Sequence, residues 1–212
     1  MVPITKTDTA VQLRRILDTV CADDHLHATW LNTLSYMEHV GATKIARTQS
    51  GPKANFMTLK HAAEEARHGF FLKHLSRKLW EEGLPTYETH YLMAPIQSHQ
   101  YLYRLDLEAS RLCRQQGLDG RRLHDLVYLL VTYAIEVRAD ELYPIYQEYL
   151  DRMPEKRLSV QGIINEEEGH LAEMEEALAD YPTELRGLTE PICRLENRLY
   201  EEWLTAVEKQ LN

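Results

Sequence analysis

At 212 residues, 44% hydrophobic and 27% charged, the chain is long enough for one globular domain with a full core and short for two. Its formal charge of −9, with Lys and Arg scattered along the chain, argues against the basic stripe that a broad nucleic-acid footprint needs. Cys21, Cys113 and Cys193 lie far apart without a Cys-x-x-Cys pair, Met-Val-Pro-Ile-Thr-Lys at the start is no apolar signal segment, and the longest mostly apolar run, residues 126–135, is too short to span a bilayer. The expectation is a soluble cytoplasmic protein with reduced thiols.

In chain order, a short amphipathic helix is expected over residues 9–20. Asp23 or Asp24 then caps a long helix over 25–48, which stops at Ser50-Gly51-Pro52. A second long helix ends at Gly83-Leu84-Pro85. Residues 84–95 read as a loop carrying Tyr87, Tyr91 and two prolines, and a shorter helix follows over 96–116. Leu118-Asp119-Gly120 makes a turn into a third long helix reaching about residue 153. Pro154 suits the first turn of a fourth, which ends before Tyr181-Pro182. Thr189-Glu190-Pro191 opens a last helix whose Ile192, Leu195, Leu199, Trp203, Val207 and Leu211 keep a helical spacing. No alternating β-branched run with hairpin chemistry occurs. The fold class is all-α, in a single domain over 1–212.

The chemistry lies in acids placed inside apolar helices. Glu64-Glu65-Ala66-Arg67-His68 in the second long helix and Glu166-Glu167-Glu168-Gly169-His170 in the fourth both contain Glu-x-x-His. At about 100° per residue, positions i and i+3 share a face, so each motif aims a carboxylate and an imidazole the same way. Glu38 shares its face with Leu31, Leu34, Ala42 and Ile45, and Glu136 ends the run 129–135. An unpaired acid is costly to bury in such places, and a metal relieves it. One Glu-x-x-His is a weak signal. The informative feature is the order Glu38, Glu65/His68, Glu136, Glu167/His170, one set per long helix. Steps of 27 and 31 residues fit helix pairs with short loops, and a step of 71 fits a long crossover with its own helix. Four carboxylates and two imidazoles suit two iron ions, and the same ligands accept Mn or a mixed Mn/Fe pair.

That order resembles the ferritin-like superfamily of di-iron carboxylate proteins over residues 25–180. Glu64-Glu65-Ala66-Arg67-His68 is similar to the superfamily's acid-Glu-x-Arg-His signature, and the second copy departs from it, with Gly169 in place of Arg. The resemblance implies a four-helix bundle with a long crossover. Extra N-terminal, crossover and C-terminal helices are added here. It implies metal ligands Glu38, Glu65, His68, Glu136, Glu167 and His170, with the acid Glu64 and Arg67 as supporting groups; read from the residues, Glu64 and Glu166 are either such supports or surface charges.

Other residues compete for roles. Glu141 and Asp140 are alternatives to Glu136. His61 lies one turn before Glu65, whereas His39 points away from Glu38. Tyr133 and Tyr143 share the Glu136 face as packing residues or as supports beside the ligands. The superfamily includes oxygenases acting on organic molecules, rubrerythrin-like peroxidases and iron-storing ferritins. No four-cysteine rubredoxin module flanks the bundle, and the added helices exceed what a storage cage needs. The expected function is therefore a non-haem di-iron oxygenase or oxidase, an oxidoreductase acting with O2 and an electron donor on a small, largely apolar molecule, in a monomer or homodimer. The alternative is an iron-handling protein with ferroxidase, peroxidase or storage activity and no organic substrate. An oxygenase needs a pocket, expected beside Gly41, Ala42 and Ala62 under the crossover that carries Tyr87, Tyr91, Tyr101 and Tyr103.

Overall fold

A computed structural model describes residues 6–48, 54–81 and 83–212; residues 1–5 and the stop at Ser50-Gly51-Pro52 lie outside them. The described residues form α1 (Lys6–Val20), α2 (Asp24–Thr48), α3 (Phe56–Leu79), α4 (Pro95–Gln115), α5 (Gly120–Asp151), α6 (Gln161–Ala179), α7 (Thr183–Arg186) and α8 (Thr189–Leu211). Short 3-10 turns occupy Thr89–Tyr91 and Pro154–Lys156, and the described residues contain no strand. The protein is all-helical, as its sequence pattern requires. No described helix is long and apolar enough to cross a membrane. The chain divides into two compact units, Arg15–Leu102 with Thr205–Asn212, and Met1–Arg14 with Tyr103–Leu204.

The first unit is organised by α2 and α3. Of the two candidate caps, Asp23 is the one used: its Oδ1 accepts from the Leu26 backbone N–H at 2.8 Å. Asn55 opens α3 with a reciprocal capping box, its side chain accepting from Thr58 N at 2.9 Å while Thr58 Oγ1 accepts from Asn55 N at 3.3 Å. Ser76 Oγ donates to the Ala28 carbonyl at 2.8 Å and Ser35 Oγ to the Gly69 carbonyl at 2.5 Å. Residues 28 and 35 thus face 76 and 69, so the helices run antiparallel in a fixed register. Gly69 makes the close approach possible. A Cβ there would stand 3.2 Å from the Ser35 carbonyl oxygen and 3.3 Å from His39 N, both rigid backbone.

The loop after α3 is tied to the same pair. Asn32 Nδ2 donates to the carbonyls of Tyr91 at 2.8 Å and Thr86 at 3.2 Å. Lys73 Nζ donates to Asn32 Oδ1, to the Leu84 carbonyl at 2.5 Å and to the Thr86 carbonyl at 3.3 Å, and stands 4.5 Å from the centre of the Tyr87 ring. Because Ser35 gives its proton to Gly69, the Tyr87 hydroxyl donates to Ser35 Oγ at 2.8 Å.

The second unit is organised by α5 and α6. Pro154 does not begin the fourth long helix. It opens a single 3-10 turn that Arg157, in the left-handed region at φ 50°, brings to an end. The helix starts later because Gln147 reaches across from α5. Its Oε1 accepts from Val160 N at 2.7 Å and Ser159 Oγ at 3.1 Å, and Ser159 Oγ accepts from Gln161 N at 3.2 Å. These contacts give the N–H groups of Val160 and Gln161 acceptors at the start of the helix. Also beyond the expected elements, residues 183–186 form the one-turn helix α7.

Candidate metal centre

Each unit carries one Glu-x-x-His motif opposite one further glutamate. In the first, the α3 motif faces α2. Glu65 is 8% exposed, His68 1%, and Glu38 is half-buried, with one donor atom from each within 4.8 Å of the other two. The Ser35–Gly69 contact sets this height, since a Cβ at Gly69 would lie 3.6 Å from Glu38 Cβ. One turn after Glu38, Gly41 leaves room for the Glu65 carboxylate, whose Oε2 is 3.6 Å from where a Cβ would stand.

In the second unit, Glu136 of α5 and Glu167 and His170 of α6 are all buried, again with donor atoms within 4.8 Å of one another. His170 Nδ1 lies 3.1 Å from Glu167 Oε2 and 3.6 Å from Glu136 Oε1. Burial, then the hydrogen bond and charge of Glu167, raise the Glu136 carboxyl well above its usual range, against the pull of His170. Burial alone would lower His170, but hydrogen bonds to Glu136 and Glu167 and their charge outweigh it and raise the imidazole to about 11. The two glutamates thus favour the protonated imidazole, whose Nδ1 faces Glu167 Oε2, and burial beside Glu167 favours the neutral form of Glu136. A buried group of this composition avoids net charge by holding protons, or by exchanging them for cations.

The competitors take other positions. Asp140 is exposed, and Glu141 accepts from Arg138 Nη1 at 2.7 Å and from Thr9 Oγ1 at 3.0 Å, so Glu136 is the acid that meets the α6 motif. His61 is buried one turn before Glu65, and His39 is exposed, its ring stacked on Tyr87 at 5.6 Å. Tyr133 is half-buried, its hydroxyl pKa raised by burial and then by Cys193 and Glu175, and Tyr143 is buried. Glu64 and Glu166 are half-buried. Arg67 is exposed, and so is Gly169, where an added Cβ would meet nothing within 4 Å. The departure from the signature therefore falls on a solvent-facing position and leaves the buried Glu-x-x-His intact. Of the crossover tyrosines, Tyr101 is buried but Tyr103 is 68% exposed and does not point inward.

One buried assembly was not legible in advance. Arg138 donates from Nε to Glu196 Oε1 and from Nη2 to Glu196 Oε2, both at 2.9 Å, and from Nη2 to Asn197 Oδ1 at 2.9 Å. Its guanidinium also lies 4.1 Å from the centre of the Tyr200 ring. The available signal was an Arg two residues beyond Glu136 in an apolar stretch, but its partners are 58 and 59 residues away in sequence. No protein-family model, curated protein or solved structure matches the chain.

Proposed function

We propose that Glu38, Glu65 and His68 on one side, and Glu136, Glu167 and His170 on the other, are the halves of one di-iron centre. It lies in a single ferritin-like domain over 1–212. The protein is then a cytoplasmic di-iron oxygenase or oxidase that uses O2 to oxidise a small, largely apolar molecule. The observation that carries this reading is the repetition: both helix pairs set one glutamate against a buried Glu-x-x-His, with donor atoms inside 4.8 Å in each triad. The donor set fits the ions. Four carboxylates balance two divalent cations, so the loaded centre is uncharged where a buried site must be, and one imidazole falls to each metal. Glu38, Glu65, His68, Glu136, Glu167 and His170 would hold the ions, with Glu65 and Glu167 as the carboxylates shared between them. Mn in one or both positions satisfies the same ligands.

The iron pair would supply electrons for the reduction of O2, and an external donor would restore them. The chain's own residues bind and orient the ions, hold them away from water, and give up the Glu136 and His170 protons on loading. Tyr87 and Lys73 pin the crossover loop against α2 and α3, the segment proposed to cover the substrate.

The test is anaerobic loading with Fe(II), reduction, and exposure to O2 with and without small apolar substrates. Substrate-dependent O2 consumption with formation of an oxidised organic product supports the oxygenase reading. Iron oxidation that no organic molecule alters favours the iron-handling alternative.

A further inference from the structure

The helix that carries Glu65 and His68 inward carries an uncovered apolar seam outward. Phe56, Leu59, Ala63, Ala66 and Phe70 are all exposed, with Phe56 at 83%, Leu59 at 61% and Phe70 at 74%. Their spacing is 3, 4, 3 and 4 residues, the a/d repeat of a helix–helix seam, on the face opposite the buried ligands. We propose that this face of α3 is a homodimer interface in which two copies cross at Ala63 and Ala66.

Three observations select a second copy of the chain as the occupant. First, the central order is self-complementary: Leu59, Ala63, Ala66 and Phe70 read large, small, small, large. Where two helices cross they are nearest at the centre and diverge toward the ends. Alanines at the centre permit close approach, and the larger side chains fill the widening gaps, Leu59 of one copy meeting Phe70 of the other. A two-fold axis through the crossing makes both halves equivalent, as an isologous interface requires. Second, the area suffices. At about 200 Å² for a whole Phe the two rings leave about 300 Å² in water, and with Leu59 and the alanines the seam reaches about 500 Å² per copy. The pair then buries about 1,000 Å², the lower bound for a specific interface. Third, the seam carries no charge from Phe56 to Phe70, while Lys60, Glu64 and Arg67 edge it as a mixed polar rim.

The test uses the whole protein and does not depend on its metal content. Sedimentation of the native chain at micromolar concentration should give a dimer. Phe56→Ser/Phe70→Ser, two exposed positions, should keep its helical circular dichroism and dissociate at least about tenfold more readily. An Ala63→Cys variant treated with diamide should form a disulfide-linked dimer, whereas Gln100→Cys, on an exposed position of α4, should not; the native cysteines are all buried and give little background. A native chain that stays monomeric, a double variant that dimerises as tightly as the native chain, or equal crosslinking at Gln100→Cys would overturn the proposal.

Discussion

At the scale of single residues, the surroundings of Glu136 and His170 favour the protonated form of each, and this has a pH signature. The folded His170 value of about 11 stands above the ordinary 6.5, so its stabilising share is complete below about 6.5 and is lost as pH rises through about 11. The raised Glu136 carboxyl has the same sign, binding a proton in the fold that the unfolded chain has already released. The melting temperature of metal-free protein should therefore fall from neutral to alkaline pH, less steeply in Glu136→Gln; equal slopes would refute this proton bookkeeping. Metal must displace those protons, so loading should release protons and tighten as pH rises, measurable by titration calorimetry in buffers of different ionisation enthalpy. Replacing Glu65 or Glu167 by Ala should abolish binding of the metal pair while the helical fold survives. Two tightly held irons in either variant would remove its bridging role. The preference for Glu136 over Glu141 was legible because Glu136 ends an apolar run. The shared protons were not, because they depend on distances that no spacing rule gives.

At the scale of elements, the register of α2 on α3 depends on Gly69 and Ser35. A side chain at position 69 meets backbone of α2, which cannot rotate away. Gly69→Leu should cost about 1–3 kcal/mol by overpacking and displace Glu38 from His68. Urea unfolding together with metal analysis checks this, and native stability with full loading would contradict it. In the other unit, Arg138→Ala strands the buried Glu196 carboxylate and should cost about 3–5 kcal/mol, while Arg138→Met/Glu196→Leu should recover most of that loss. A double variant as unstable as the single one would mean that packing of the guanidinium, not its charge, is what the fold uses. The long helices were legible to within a few residues, since periodicity and turn residues bound them. The start of α6 was not. Pro154 is a fair helix opener in isolation, and only the Gln147 side chain, brought in from α5, explains why the helix waits until Gln161. Arg138 with Glu196 illustrates the same limit, because its partners are adjacent only after folding.

At the scale of the whole molecule, the all-helical class followed from periodicity alone. The proposed function follows from the repetition, in each unit, of a buried Glu-x-x-His set against one further glutamate. Which oxidation such a centre would perform, and on which molecule, would be set by side chains around it that carry no spacing signature. The central claim is that the two triads together hold a pair of redox-active irons. It is tested most directly by Mössbauer spectroscopy of protein loaded anaerobically with ⁵⁷Fe(II) and then exposed to O2, with iron counted per chain. The account predicts two irons per chain that oxidise together into a magnetically coupled diferric pair, absent from Glu65→Ala and Glu167→Ala. One iron per chain, or uncoupled ferric ions that persist in those variants, would contradict it.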